Sequence, residues 1–332
     1  MMTHPSVTIG IPVYNGEACL DKMLASICAQ SFQDMEILVS DNASTDSTPE
    51  IIARWAAKDK RIRVHRQPEN VGARNNFIWL LENAAAPWMK FAAHDDMLTT
   101  GYVEALYGLA KAHPEARLIA ASVQLIKPDG ARYKNTPFPV EINEARGFVR
   151  TKLLLKEVRS GWFYGLFRRG ALKEAWYAAE RFKYVWGQDL LVLLPFLLSG
   201  AVVGTPDATF YQLDTGVSAA RYKPKALPEQ AHMYFSYLYA CFRALWLSPL
   251  TLAQKTALVP QMIIYTGYNC WKLRRLVLFT LRAPFMPIKR FFAPPRKNKI
   301  IKNYSQSLRL SVEWLFTPPT LTAMATIWKA QA

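Results

Sequence analysis

Four polar side chains in this chain fall where apolar runs end. Asn15 follows VTIGIP at 7–12, Asp41 follows EILVS at 36–40, and the pair Asp95–Asp96 follows WMKFA at 88–92. Carboxylates repel phosphates, so an acidic pair that works on a phosphorylated ligand needs a divalent cation in between, and hard oxygen ligands of this kind suit Mg²⁺ or Mn²⁺. A fifth group, Asp189, opens GQDLLVLLPFLLSG. Placed beside an acceptor hydroxyl it could take a proton as a general base, and it could equally cap the helix that the apolar run behind it forms. Asp95–Asp96 could likewise cap a following helix, and Asp41 could be an ordinary turn residue.

These residues converge only if the intervening elements bring them together. The three apolar runs read as buried parallel strands. Between them, Ala18–Ala29 reads as a helix with Leu20, Leu24 and Ile27 on one face, and Thr45 or Asp46 can cap a second helix running towards Ala57. Ile62–His65 reads as a strand, Asn75–Glu82 and Thr100–Lys111 as helices, and Leu118–Val123 as a further strand. This alternation predicts an α/β fold, a mostly parallel sheet with right-handed crossovers and helices on both faces. Such sheets bind ligands beyond the carboxyl ends of their strands, which is where Asn15, Asp41, Asp95 and Asp96 lie.

Other chemistries lose their support. No G-x-G-x-x-G follows the first strand and no G-x-x-x-x-G-K-[ST] occurs, which removes the usual signals for dinucleotide binding and P-loop hydrolysis. The 332 residues are 51% hydrophobic and 20% charged, enough for one large or two modest domains and unlike a disordered or collagenous chain. Cys19, Cys28, Cys241 and Cys270 are scattered and form no C-x-x-C pair, so a reducing compartment is expected. The first ten residues do not read as a signal peptide, and the longest stretch free of Lys, Arg, Asp and Glu, 190–206, is 17 residues with Pro and Gly inside it. A membrane span needs about 20 apolar residues, so none is expected.

The net charge of +16 is unevenly placed: residues 269–332 carry twelve Lys or Arg against Glu313 alone. There the cations alternate with Trp271, Leu276, Phe279, Phe285, Phe291 and Phe292, as in a segment that lies at a membrane interface. Anionic lipid would attract it; packing onto the rest of the protein, with solvated cations, is the plainer alternative. No zinc finger, helix-turn-helix or RNA-binding motif accompanies the charge, so nucleic acid is not expected as a partner. A boundary near Tyr222 would separate an α/β domain, 1–221, from a largely helical basic region, 222–332.

The stretch VTIGIPVYNGEACLDKMLASICAQSFQDMEILVSDNASTDST, followed by ENVGARNNF, WMKFAAHDDML and GQDLLVLLPFLLSG, resembles the family 2 glycosyltransferases, which have the GT-A fold. The resemblance covers roughly residues 5–215. It implies that Pro12, Val13, Tyr14 and Asn15 line a nucleotide pocket, that Asp41 contacts the base, and that Arg74 approaches base or phosphate. It further implies Asp95 near the ribose, Asp96 on a Mg²⁺ or Mn²⁺ ion bridging the diphosphate, and Asp189 as the general base of an inverting transfer. Many family members carry Tyr-Arg-x-His after the catalytic acid; here Tyr211-Gln212-Leu213-Asp214 stands there and the His is absent. Either Asp214 contributes a different ligand or a loop with Thr215 and Ser218 closes over the phosphates. The Gln-x-x-Arg-Trp segment of processive synthases is also missing, which favours transfer of one sugar at a time.

Trp162 and Tyr164, in a Gly-flanked loop, could stack on a sugar ring or simply pack a core, and Trp186 could face the same cavity. The expected function is therefore a metal-dependent inverting glycosyltransferase using a nucleotide sugar, with a UDP-sugar favoured. The expected acceptor is a saccharide or lipid-linked hydroxyl in surface polysaccharide, lipopolysaccharide or glycolipid synthesis. The expected location is cytoplasmic, peripheral on the inner face of the plasma membrane. An inactive scaffold that keeps the fold, or a nucleotidyltransferase, is the alternative; the oligomeric state is not readable.

Overall fold

The computed structural model describes residues 5–214 and 221–269. Ser218, Thr215 and the basic stretch from residue 270 onward lie outside the described residues. The first half alternates strand and helix: β1 (Val7–Val13), α1 (Leu20–Cys28), β2 (Met35–Asp41), α2 (Thr48–Lys58), β3 (Ile62–Arg66), α3 (Gly72–Asn83) and β4 (Trp88–Phe91). A short β5 (Met97–Leu98) leads to α4 (Tyr102–Ala112), β6 (Leu118–Ile126) and β7 (Arg132–Thr136). Two helices follow, α5 (Glu141–Glu144) and α6 (Gly147–Glu157), then a 3₁₀ turn at Ser160–Tyr164, β8 (Leu166–Arg168) and α7 (Arg169–Ala178). The remaining elements are α8 (Gln188–Leu198), β9 (Val202–Leu213), α9 (Leu227–Leu247) and α10 (Leu252–Asn269).

The strands form one sheet in the order β3-β2-β1-β4-β8-β6-β9-β5, with β7 pairing the outer half of β6. β3, β2, β1 and β4 are mutually parallel, as are β6 and β9, while the short β5, β7 and β8 run antiparallel to their neighbours. The α/β architecture expected from the alternating pattern is therefore present, in keeping with the GT-A fold that the resemblance implies. Sequence periodicity missed β5, which is two residues long, and β7, β8 and β9. β7 is solvent-facing and has no apolar pattern, β8 is only three residues long, and β9 carries Pro206 and Asp207 at an irregularity in its pairing with β6.

β1 and β2 are buried almost throughout, because helices cover both faces of the sheet's centre. α1 buries Leu20, Met23, Leu24 and Ile27, a single stripe at helical spacing. On one side of β4, Phe77, Phe91, Phe163 and Trp176 lie 4.9–5.9 Å apart between centroids and fasten α3, the 3₁₀ turn and α7 to the sheet. On the other, Tyr164 stacks on Phe210 at 4.8 Å. α9 and α10 join the same apolar core through residues such as Tyr234, Tyr237 and Met262.

Register explains the convergence of the polar residues. Val13 pairs with Asp41 and Asp41 with Arg66, so β1, β2 and β3 end level with one another. β4 ends level with Gly10, and the chain then continues the same way, with Ala92 donating to the Gly10 carbonyl at 3.0 Å before His94–Asp96.

Trp162 lies in the interior, 2% exposed, against Phe138 at 5.3 Å, and so forms no wall of the crevice. Replacing it with Ala should leave a large cavity and lower unfolding free energy by roughly 3–5 kcal/mol. Denaturant titration checks this; a loss below ~1 kcal/mol would show that the ring is not a core element.

Candidate active site

The loops after β1 and β2 are latched together. Asn15, held at φ 52°, donates its backbone N–H to Ser44 Oγ at 2.9 Å and accepts the Thr45 N–H on Oδ1 at 2.9 Å. Gly16 N–H donates to Thr48 Oγ1 at 2.8 Å, joining the same loop to the start of α2. A Cβ on Gly16 would come 2.7 Å from Val13 Cγ2 and 2.9 Å from His94 Cδ2, so only glycine lets the segment before Asp95 approach this loop. Asn15 is thus a structural clasp between the two loops. Neither Thr45 nor Asp46 is the cap of α2: Ser47 holds that position without a side-chain bond, and Asp46 accepts the Thr48 N–H at 3.1 Å in the turn before it.

Asp41 is buried at the end of β2. Its Oδ1 accepts the Ser44 N–H at 3.0 Å. Its Oδ2 is buried without a hydrogen-bond donor; Arg66 Nη1 lies 3.1 Å away as an ion-pair contact, out of line for a hydrogen bond. Arg66 is anchored by its own bond to the Ser44 carbonyl at 2.9 Å. Val13 is buried beneath this pocket, and Pro12 and Tyr14 are half-buried. Arg221, beyond β9, reaches back to lie 5.7 Å over the Tyr14 ring. Arg74 leans towards the end of α7, where its Nη2 is 3.5 Å from the Glu180 carbonyl and its Nε is buried without an acceptor.

The acids form a second group. Asp96 is 5% exposed and its Oδ1 accepts the Leu213 N–H at 2.9 Å, which ties the end of β9 to the segment after β4. Burial pushes its carboxyl well above the usual range and the neighbouring Asp95 adds to this, while the Leu213 bond and Lys90 oppose it. Asp95 is half-buried and acts electrostatically on Cys19 at the start of α1. Asp189 lies in the first turn of α8, after the left-handed Gly187 at φ 83°. Burial raises its carboxyl to about 6, against the backbone N–H groups of Leu190 and Asp189, which favour the ionised form. All three carboxylates act on one ring: the Tyr164 phenol is pushed well above its ordinary value by burial first, then by Asp96, Asp95 and Asp189. Tyr164 therefore sits among the acids, unlike its neighbour Trp162.

Lys90 is the site residue that sequence reasoning overlooked. It is fully buried on β4, donates to the Phe91 carbonyl at 2.9 Å, and lies 5.3 Å from the Tyr102 ring and 6.0 Å from that of Phe210. Burial pushes its ammonium down to about 7, with Asp96 opposing the shift. A lysine inside the apolar run WMKF was the available signal, since lysine is almost never fully buried unless paired. Gln188, next to Asp189, likewise holds a buried Nε2 with no acceptor.

The remaining candidates lie further out. Gln212 is half-buried on β9, paired with Leu125. Asp214 is exposed, accepts the Tyr133 hydroxyl from β7, and donates its N–H to the Ile126 carbonyl at 2.8 Å, so these bonds hold it on the β6–β7 side. Trp186 is half-buried, with Lys223 Nζ 4.8 Å over its ring.

The profile described as Glycosyl transferase family 2 matches residues 8–176, about half of the chain. The chain is 36% identical over 110 residues to Glycosyltransferase GlyA of Streptococcus pneumoniae, covering 32% of this chain and 15% of that protein. It is 28% identical over 174 residues to a GalNAc(5)-diNAcBac-PP-undecaprenol beta-1,3-glucosyltransferase of Campylobacter jejuni, covering 51% of this chain and 53% of that one. The chain thus spans at most about half the length of these curated relatives. Among solved structures, S. aureus TarS in complex with UDP-GlcNAc superposes with a TM-score of 0.62 at 15% identity, over 79% of this chain and 73% of that one, a likeness of fold. The chain belongs to glycosyl transferase family 2.

The raised Asp189 carboxyl has a measurable consequence. Its folded value, about 6, lies above the ordinary 3.8, so the folded state holds the proton more tightly and loses stability as pH rises through that window. Asp189→Asn should therefore be more stable than wild type at pH 7.5 by about 3 kcal/mol, and equal to it below pH ~4. Thermal melts across pH check this; a variant no more stable than wild type at pH 7.5 would contradict the burial cost assigned to this carboxylate.

Proposed function

We propose that the chain is a metal-dependent, inverting glycosyltransferase that moves one sugar from a UDP-sugar to a hydroxyl of a saccharide or lipid-linked acceptor. The observation that carries the donor assignment is Asp41, a buried carboxylate with one oxygen satisfied by Ser44 and the other without a donor. Uracil presents one imide N–H, flanked by carbonyl oxygens, and would satisfy that single open acceptor. Guanine presents two adjacent donors and would need both oxygens free. Arg66, beside Asp41, is placed to donate to a base carbonyl.

Among the described residues no three His, Cys, Asp or Glu side chains cluster as a complete metal cage. The residues fit a cation shared with substrate. Asp96 uses only Oδ1 for hydrogen bonding, and Mg²⁺ in phosphate sites commonly takes one or two carboxylates plus phosphate oxygens and water. Asp96 would hold the ion, with Asp95 beside it towards the ribose; when bound, the ion offsets the charge that grows on the leaving diphosphate. Asp189 takes the proton from the acceptor hydroxyl as the oxygen attacks the anomeric carbon. The bond from that carbon to the diphosphate oxygen breaks, UDP departs, and the configuration inverts. A carboxyl near 6 is a stronger base than an ordinary aspartate and is still mostly ionised at neutral pH. Tyr164, among the three acids, is positioned to guide the acceptor, and Arg221 over Tyr14 to approach the diphosphate. Asp214 and Ser218 remain candidates for the phosphate loop.

This proposal divides the chain near residue 222, with 1–221 carrying the chemistry and the basic region after it holding the protein on the cytoplasmic face of a membrane. The printed name of the C. jejuni relative includes an undecaprenol-linked acceptor, which supports a lipid-linked substrate and a role in surface polysaccharide or glycolipid assembly.

A panel of nucleoside diphosphates with Mn²⁺ should show UDP binding at least about tenfold more tightly than GDP, and Asp41→Asn should remove most of that preference. Equal affinity for UDP and GDP would overturn the base assignment. Asp96→Asn should lower metal-dependent donor turnover by roughly 10²-fold or more, whereas full activity would remove its metal role. Asp189→Asn should keep UDP affinity and lose transfer, and the wild-type rate should rise with pH through about 6, as the base ionises. A rate flat from pH 5 to 8 would exclude Asp189 as that base.

A further inference from the structure

The outer face of the α9–α10 hairpin has no part in the chemistry above. From Gln230 to Asn269 the chain contains no Asp or Glu, and Arg243 and Lys255 are its only Lys or Arg. The inner face is accounted for: Tyr234, Tyr237 and Cys241 of α9, with Leu258 and Met262 of α10, are buried in the core. The outer positions of a helix packed on one side ordinarily carry charge. Here they carry Tyr239, Trp246, Leu247, Leu252 and Val259, exposed by 57%, 60%, 67%, 66% and 38%. Tyr239 and Trp246 are two turns apart on α9, and Leu252 and Val259 two turns apart on α10, so each pair shares one helix face. Trp246, Leu247 and Leu252 gather at the hairpin turn. Beside them Lys255 Nζ donates to the Trp246 carbonyl at 2.6 Å and lies 5.6 Å over its indole.

Charge selects the occupant of this face. Between Glu229 and Glu313 there is no acid at all, against thirteen Lys or Arg, so the hairpin and the sequence that continues from α10 carry one sign. A second copy of the chain would bring the same sign to the same interface without a countercharge. An anionic bilayer supplies both missing partners, an apolar phase for the Trp and Leu side chains and negative headgroups for the cations. No helix among the described residues is long and apolar enough to cross a membrane, so the contact is with the surface.

We propose that the α9–α10 hairpin lies on an anionic membrane surface, with Trp246, Leu247 and Leu252 seated at the boundary between headgroups and acyl chains. This rests on the membrane-surface reading given above and assigns it to a defined element. It also gives that docking a direction. Tyr265, near the end of α10, donates its hydroxyl to the Leu190 carbonyl at 2.8 Å, one residue from Asp189. A hairpin fixed on the bilayer would thereby fix the orientation of α8 and its general base relative to a lipid-linked acceptor.

The test uses the full chain with phosphatidylcholine vesicles, with and without phosphatidylglycerol, read by flotation and by hydroxyl-radical footprinting of Tyr239 and Trp246. Wild type should float with the mixed vesicles, with both side chains protected. The triple variant Trp246→Ser, Leu247→Ser, Leu252→Ser should bind about tenfold or more weakly while its affinity for UDP is unchanged. Flotation unchanged in the variant, with Trp246 unprotected in wild type, would assign binding to the region beyond Asn269 alone and overturn this proposal while leaving the membrane reading intact. No flotation on either vesicle would overturn both. Protection without vesicles, together with a doubled mass in sedimentation, would make the face a self-association surface and contradict the proposal.

Discussion

Three carboxylates, Asp95, Asp96 and Asp189, act on one half-buried tyrosine, Tyr164, and the arrangement follows from the cost of keeping them there. Burial and mutual repulsion raise Asp96, and burial raises Asp189 to about 6. The protein offsets little of this itself. Lys90 lies within electrostatic reach of Asp96, and the Leu213 N–H supplies a single bond. The carboxylates are therefore sparsely compensated, and an acidic cluster perturbed in this way is where a functional site is to be sought. The sheet makes the arrangement possible. Strands that end level deliver the loops after β1 and β2 to one rim, and Gly16 lets the acidic segment close against them.

The two parts of the proposed site are built differently. Around Asp41 the polar groups are clasped, with Asn15, Ser44, Thr45 and Thr48 bonded across two loops. One open acceptor remains, and a rigid frame with a single unmet bond discriminates between ligands more sharply than a flexible one, because a mismatched partner leaves it unmet. Around Asp96 the groups are charged and less fully bonded, with the Leu213 N–H donating to that carboxyl. The α9–α10 hairpin is tied to the same region, because the Tyr265 hydroxyl donates to the Leu190 carbonyl in the first turn of α8.

Much of this was legible in the sequence. The strand ends before Asn15, Asp41 and Asp95–Asp96 were readable, because the period of the pattern is local. What was not legible depended on distant pairing. β9 contains Pro206 and Asp207 and becomes a strand only because β6 pairs with it through an irregularity. Trp162 and Tyr164 stand two residues apart in one short turn; one is core and the other lies among the acids, a division set by packing against Phe138 and Phe210. Asp214 reads as a substitute for a missing histidine, but its bonds to Tyr133 and Ile126 come from strands that the pattern around it does not announce.

The most direct test of the acidic pocket is the thermodynamic coupling between its two ligands. UDP affinity would be measured by calorimetry in chelator and across a series of Mn²⁺ concentrations, and Mn²⁺ affinity with and without UDP. A cation shared between Asp96 and a diphosphate requires each ligand to strengthen the other by the same factor, expected to be about tenfold or more, with the coupling lost in Asp96→Asn. UDP binding that is indifferent to Mn²⁺, or a coupling that survives Asp96→Asn, would contradict the account.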